Sequence, residues 1–419
     1  MIIIRLALKS VLNRRFTALL TVFSIALSVM LLLGVERLRQ EARSSFANTI
    51  SGTDLVVGAR SGTIQLLLYS VFRIGNATNN ISWQSYRDIV DHPQIKWTIP
   101  LSLGDSHRGY RVMGTNLDYF KHYRFARDRA LEFAEGKPFT DLYDAVLGAE
   151  VAEALDYRLG QAIVIAHGVE TVSFALHEDK PFRVVGILER TGTPVDRTVH
   201  VRLEGIEALH IDWVAGMPIP GLAMSAEQVA QRDLTPKAIT AFLVGLHSKV
   251  STFRVQRFIN DYAHEPLLAI IPGVALQELW DLMRIAEQAL LAVSSFVVLV
   301  GLTGMVTVLL TSLNERRREM AILRAAGARP MHVFGLIMGE AMCMTLGGIT
   351  LGVALLYVLF QLAQPLIQTR FGLFMAIGSP SAYELILLGA VLVAGLLISA
   401  VPSYRAYRYS LADGMTVRL

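Results

Sequence analysis

Histidine is the side chain whose chemistry first draws attention in this chain of 419 residues. Nine of its ten histidines (His92, His107, His122, His167, His177, His200, His210, His247 and His264) lie between the first and second of four long apolar runs. Imidazole nitrogens ligate transition metals and carry protons near neutral pH, so a metal centre or a general base is the chemistry to test. No two of these histidines stand at the i, i+2 or tight i, i+4 spacing that builds a ready metal site, and no cysteine accompanies them. They therefore read as surface or core residues, and no metal is expected. Asp105, His107 and the scattered serines show no nucleophile-elbow pattern, which disfavours a membrane-anchored enzyme. A phosphate-cradling loop is missing too: Gly136-Lys137 is followed by Pro138, with no glycine five residues before the first. No cofactor is expected in this chain, so any energy from nucleotide hydrolysis must come from another polypeptide.

The second chemistry is electrostatic. Residues 314–329 hold Arg316, Arg317, Arg318, Arg324 and Arg329, with Met320, Leu323 and Ala326 at i, i+3 and i+6. An apolar stripe inside so charged a segment needs burial somewhere. One expectation is a short helical knob seated in a partner's cleft. Met320, Leu323 and Ala326 would be its buried face, Arg316, Arg317, Arg318, Glu319 and Arg324 its charge contacts, and Gly327 its end. The plainer alternative is a basic flank with no partner. Glu340 lies within an apolar run, where an ionised carboxylate costs on the order of 3 kcal/mol on insertion scales. It is expected to face protein or a water-filled crevice, as part of a relay or as a partner for a neighbouring helix. Residues 61–72 are unusually apolar, and either a substrate groove or a buried helix would account for them.

The elements that must position these residues follow from composition. A hydrophobic fraction of 53%, only 18% charged residues and a mean hydropathy of +0.45 are too apolar for an ordinary soluble enzyme. The apolar residues gather at 16–35, 289–312, 331–360 and 383–401, each near or above the roughly 20 residues that cross a bilayer as a helix. Twelve basic residues and only three acidic ones flank these runs at the N-terminus, at 313–330 and after residue 401. Lys and Arg near membrane helices resist translocation. Both termini and the 313–330 loop are thus expected in the cytoplasm, with residues 54–271 and the 362–382 hairpin on the other side of a bacterial inner membrane. The remaining 27 basic residues face 32 acidic ones, which excludes a nucleic-acid partner. The first run lacks a small-x-small cleavage site and reads as an uncleaved anchor.

Beyond the anchor, Leu38 and Phe46 continue an apolar stripe through 36–53. Leu279 and Met283 belong to a second stripe, at 272–288, with coiled-coil spacing. The two are expected to pair as a stalk. The expected layout is then membrane helix 1 within 1–35, the outer domain at 54–271, membrane helices at 289–312, 331–361 and 383–401, and a tail at 402–419. Within the outer domain, strand-like runs at Asp54–Gly58, Gly109–Met113, Ala162–Ala166, Val172–Leu176, Phe182–Leu188 and Val199–Leu203 alternate with helical ones at Trp83–Val90, Ala149–Tyr157 and Val255–Tyr262. The mixture predicts an α+β domain.

Several stretches resemble the MacB/FtsX-like (type VII) family of ABC transporter permeases. The run 317–329, Arg-Arg-Glu-Met-Ala-Ile-Leu-Arg-Ala-Ala-Gly-Ala-Arg, is similar to the family's most recognisable motif. Residues 6–15 resemble its entry segment, and 147–150, 159–161 and 182–188 its periplasmic core domain. Residues 402–408 resemble its exit, after which Asp413-Gly414 replaces the usual Asp-Pro pair. The resemblance implies four transmembrane helices with a large α+β periplasmic domain between helices 1 and 2. It also implies a homodimer bound to two cytoplasmic ABC ATPase subunits that bind the ATP and Mg2+, and possible contact with a periplasmic adaptor or lipoprotein. The implied function is mechanotransmission, in which ATP hydrolysis drives periplasmic movements that extract or export an amphiphilic cargo such as a lipoprotein, peptide or efflux substrate. The alternative is an ATPase-driven regulator of a periplasmic hydrolase or other envelope process. Orientation is directly testable: single cysteines replacing His107 and Arg317 should react with an impermeant thiol reagent from opposite faces of the membrane, and labelling of both from outside would overturn it.

Overall fold

The computed structural model describes residues 14–126, 128–168, 177, 179–211, 213–214, 217–218, 224–315, 317–371 and 378–408. The expected strand at 172–176, the entry residues 6–13, Arg316 and the tail from Ser410 lie outside the described residues. Two compact units divide the chain: Ala42–Met283 with Arg370–Leu373, and Met1–Glu41, Arg284–Thr369 and Phe374–Leu419.

The second unit is helical. It holds all or most of α1 (Arg15–Thr49), α2 (Pro272–Glu315), the short α3 (Arg317–Ala325), α4 (Pro330–Phe371) and α5 (Ala382–Arg408). All but α3 are long and apolar enough to cross a membrane. Hydrocarbon offers no partner to a free N–H or C=O, so each span closes its hydrogen bonds internally. Small residues then decide which helices touch. A Cβ at Gly348 of α4 would lie 2.5 Å from Ile25 Cγ2, and one at Gly352 would lie 2.6 Å from the Ala26 carbonyl oxygen of α1. These two glycines therefore seat α4 on α1 of the same chain. The Ser28 hydroxyl donates to the carbonyls of Ser24 (2.9 Å) and Val297 (3.2 Å), joining α1 to α2 opposite Gly301. Gly395 of α5 faces Thr345 of α4. Around these contacts a core forms from Ile25, Val29, Leu302, Met305, Ile337 and Ala341 with their neighbours. Helix α4 runs on to Phe371, past the end of the apolar stretch, since apolarity marks the lipid and says nothing of where a helix stops.

The outer unit is built on an eleven-stranded sheet. Its strands are β1 (Leu55–Ala59), β2 (Ile95–His107), β3 (Tyr110–Thr115), β4 (Phe133–Gly136), β5 (Asp144–Leu147), β6 (Ala162–Ile163), β7 (Ala166–His167), β8 (Phe182–Leu188), β9 (Thr198–Arg202), β10 (Ala241–Leu246) and β11 (Leu267–Ile270). Their order is β11-β1-β10-β2-β3-β9-β5-β8-β4, with β7 on β2 and β6 on β8. The β9–β3 and β8–β5 pairs are parallel, and the other pairings are antiparallel. Strand β2 joins the two halves: Ile95–Leu101 pairs with β10, and the register to β3 slips between Leu103 and Ser106. Burial alternates strictly along β8, whereas every residue of β1 and β10 is buried. Residues 61–72 form the helix Thr63–Ser70, with Leu66 and Leu67 fully buried in the core. That settles their role as packing.

The stalk residues need correcting. Leu38 is 49% exposed and Met283 41% exposed, while Leu279 is half-buried and Phe46 packs against the outer core. In the membrane unit α1 meets α2 through Arg39 and Glu287 at 3.5 Å. In the outer unit Phe46 lies against Trp280 with centroids 5.6 Å apart, and the Arg43 guanidinium sits 5.5 Å over the same indole. The spacing of three and four is right, but its phase is rotated onto Arg39, Arg43 and Phe46. Arginines at these positions find a carboxylate and an aromatic face within the pair, which turns the aliphatic stripe outward.

Replacing Gly352 with Leu should force α1 and α4 apart and lower stability by about 1–3 kcal/mol. Gly304→Ala, where a Cβ meets nothing within 4 Å, should leave the thermal unfolding curve of the detergent-solubilised protein unchanged.

Candidate functional site

Helix α3 ends as its sequence requires. Gly327 adopts φ +96°, its N–H donates to Arg324 O at 3.1 Å, and the Ala328 N–H donates to Leu323 O at 3.0 Å. Only glycine takes that left-handed turn without strain. Pro330 then opens α4, and His332 Nδ1 accepts from the Arg329 N–H at 3.0 Å.

The orientation of α3 corrects the expected docking face. Met320 is 5% exposed and belongs to the same core as Leu313, Val333 and Ile337, with Ala321 buried beside it. Leu323 and Arg324 are half-buried, and Ala326 and Gly327 are exposed. Met320 is thus an anchor into this chain's own helices, because the nearest apolar surface is the bundle the segment connects. The outward face carries Arg318, Glu319 and Ile322, the last 62% exposed. Arg318 and Ile322 stand one turn apart and share one side of the helix. Arg317 belongs to α3 by its backbone, and Arg316 lies outside the described residues. Glu340 is buried within α4, facing protein.

At the opposite end of the membrane helices lies a cluster that sequence reasoning missed. Arg37 of α1 donates from Nε to Glu384 Oε1 at 2.6 Å and from Nη2 to the Tyr357 hydroxyl at 2.8 Å. The Tyr357 hydroxyl donates to Gly378 O at 2.7 Å, and the Ser381 N–H donates to Glu384 Oε2 at 2.8 Å. Arg37 and Glu384 are both buried, and the guanidinium also lies 4.6 Å from the Tyr357 ring centroid. Three helices are thereby tied by one ion pair. Arg37 showed no signal of this, because its partner is 347 residues away.

The histidines also group in a way their sequence spacing hides. His167, His177 and His210 bring one ring nitrogen each within 4.8 Å of one another, from places 10 to 43 residues apart in the chain. His107 lies elsewhere in its hydrogen bonding, with Nδ1 2.6 Å from Val164 O and Nε2 3.0 Å from the Tyr157 hydroxyl. His200 is buried against Val146 O at 3.2 Å, and burial, followed by the nearby Arg73, pushes its imidazole down to about 3.

Two domains of known type cover most of this architecture. The MacB-like periplasmic core domain matches residues 18–255, and the FtsX-like permease C-terminal matches residues 291–411. The chain belongs to the MacB/FtsX-like family of ABC transporter permeases. It is 28% identical over 291 residues to the macrolide export ATP-binding/permease protein MacB of Nitrobacter winogradskyi, covering 66% of this chain and 40% of that protein. It is 20% identical over 322 residues to the protein of the same name from Wolinella succinogenes, covering 75% and 45%. This permease chain therefore spans less than half the length of either relative. Among solved structures, it is similar to the periplasmic region of MacB from Actinobacillus actinomycetemcomitans, with 12% identity, TM-score 0.33 and coverage of 55% of this chain and 94% of that one. It is also similar to the extracellular domain of the transporter YknZ from Gram-positive bacteria, with 12% identity, TM-score 0.31 and coverage of 52% and 99%. The permease is a membrane protein whose α+β periplasmic domain is inserted between its first and second apolar helices.

Breaking the buried pair of this permease with Glu384→Ala should cost about 3–5 kcal/mol, because it strands the Arg37 charge. Arg37→Met combined with Glu384→Met should recover much of that loss in thermal unfolding of the purified protein. Equal melting of the single variant and the parent would show that the pair holds nothing together.

Proposed function

We propose that this chain is the membrane subunit of an ABC transporter that works by mechanotransmission in the bacterial inner membrane. A separate cytoplasmic ATPase dimer binds ATP and Mg2+, seats α3 of each of two permease copies, and moves their periplasmic domains by way of α1 and α2. The chain itself is non-catalytic. The cargo is amphiphilic (a lipoprotein, a peptide or an efflux substrate) and is handled at the outer face, with or without an adaptor.

One observation carries this reading. Helices α1 and α2 each run without a break from the membrane unit into residues of the outer unit, at Glu41–Ala42 and Met283–Arg284. An α-helix rises about 1.5 Å per residue and resists compression along its axis, so displacement at one end is delivered at the other. Met320 fixes α3 to the bundle at the far end of α2, which makes the short helix a rigid handle. The sequence holds no Gly-x4-Gly-Lys loop, which supports nucleotide binding by another polypeptide. Both curated relatives are named as combined ATP-binding/permease proteins, in agreement with a permease that works beside an ATPase.

The handle can be tested without unfolding the bundle. Arg318→Glu with Ile322→Asp should reduce co-purification of the ABC ATPase by at least about tenfold, as expected for loss of a charged contact and its apolar neighbour. The variant should melt like the parent, since both side chains face outward. Full retention of the ATPase by the double variant would refute docking at α3.

A further inference from the structure

We propose that Asp105, His167, His177 and His210 form a binding site for a divalent transition metal ion, Zn2+ foremost, in the outer domain. The site goes beyond the transporter reading and stands independently of it.

The fold assembles it from four places in the chain. Strand β7 pairs with β2 so that His167 lies directly opposite Asp105. Asp105 sits where the register of β2 to β3 slips, and such a slip re-aims a side chain relative to a regular ladder. The helix Leu203–His210 ends at the cluster with His210 as its last residue. His177 is held alongside by its backbone N–H, which donates to Ile165 O at 3.0 Å.

The distances fit a tetrahedral ion. His167 Nδ1 lies 3.1 Å from His210 Nε2 and 3.2 Å from Asp105 Oδ1, and His210 Nε2 lies 3.4 Å from Asp105 Oδ1. Zinc holds imidazole nitrogen and carboxylate oxygen at roughly 2.0–2.2 Å, which places neighbouring ligands of a regular tetrahedron about 3.3 Å apart. Three of the four donors thus already outline one face of that figure. His177 supplies the apex, with its nitrogen within 4.8 Å of the other two imidazoles, a gap that a small ring movement closes.

The donor set suits a cation. Asp105 is buried, and His167 Nδ1 and His210 Nε2 both lie within 3.4 Å of its Oδ1, so a carboxylate oxygen sits among imidazole nitrogens. Three nitrogens and one oxygen select zinc-like ions over Mg2+ and Ca2+, which prefer oxygen alone. The site is also reachable, since the His167 side chain is 42% exposed and that of His210 27% exposed.

The test uses the full chain, purified in detergent with a histidine-free tag and stripped with chelator. Calorimetric titration with Zn2+ should show one tight site per chain, undiminished by excess Mg2+, and Co2+ should give the visible absorption of a tetrahedral centre. His167→Ala should weaken Zn2+ binding by at least about tenfold, the loss seen even for outer-shell partners. His167 is half-exposed, so this variant should keep the parent's unfolding curve, and His210→Ala with Asp105→Asn should abolish the cobalt spectrum. His247→Ala, at an exposed position outside the cluster, should change nothing. The proposal is overturned if the His167→Ala protein binds Zn2+ as tightly as the parent, or if the parent binds no Zn2+ beyond what Mg2+ displaces.

Discussion

The hydrogen-bonding demand of the backbone in lipid is the constraint on which this molecule depends. A chain that must satisfy every N–H and C=O internally crosses the hydrocarbon as helix. Nothing obliges that helix to stop at the lipid boundary. Helices α1 and α2, of 35 and 44 residues, continue the same ladder past the membrane unit, over 42–49 and 272–283. One solution to a solvation problem therefore also supplies two stiff rods, and the remaining features determine what the rods connect.

Close packing and one buried ion pair determine the lateral arrangement in the membrane unit. Gly348 and Gly352 let α4 approach α1 to a distance that any side chain would forbid. Arg37 then adds direction, since a buried guanidinium must find acceptors and finds them on Glu384 and Tyr357. Glycine contacts tolerate sliding along the helix axis, whereas a charge with fixed partners does not. Dispersion and electrostatics thus act on different degrees of freedom of the same bundle.

The membrane spans and the α+β class were legible in the sequence because both rest on periodicity and composition. Strand β8 and the helix Trp83–Val90 were legible for the same reason, with their alternation or amphipathic face intact. Strands β10 and β11 were not. Ala241–Leu246 is buried on both faces and shows no alternation, so it cannot be told from a short apolar helix by pattern. Strand β2 hid behind Pro100 and Gly104, residues that usually break strands, and they sit where it changes partners or register. The seam phase of α1 and α2 was misread because aliphatic residues were given precedence over arginines that had partners to meet. The histidine cluster and Arg37 share a different cause. Their partners lie tens to hundreds of residues away, and no local spacing reports a contact made by topology.

Met320 has a further consequence. Because its side chain is buried in the bundle that α3 connects, the short helix acquires its shape as the chain folds, before any partner arrives. The entropy of ordering that segment is then lost during biogenesis and not at assembly, which favours binding by a preformed surface. If the proposed ATPase docks there, such a surface could release one ATPase and accept another without melting. Under the proposed docking at α3, recognition between subunits would rest on a few outward side chains, and related transporters in one cell could exchange or exclude each other's motors by changing those alone.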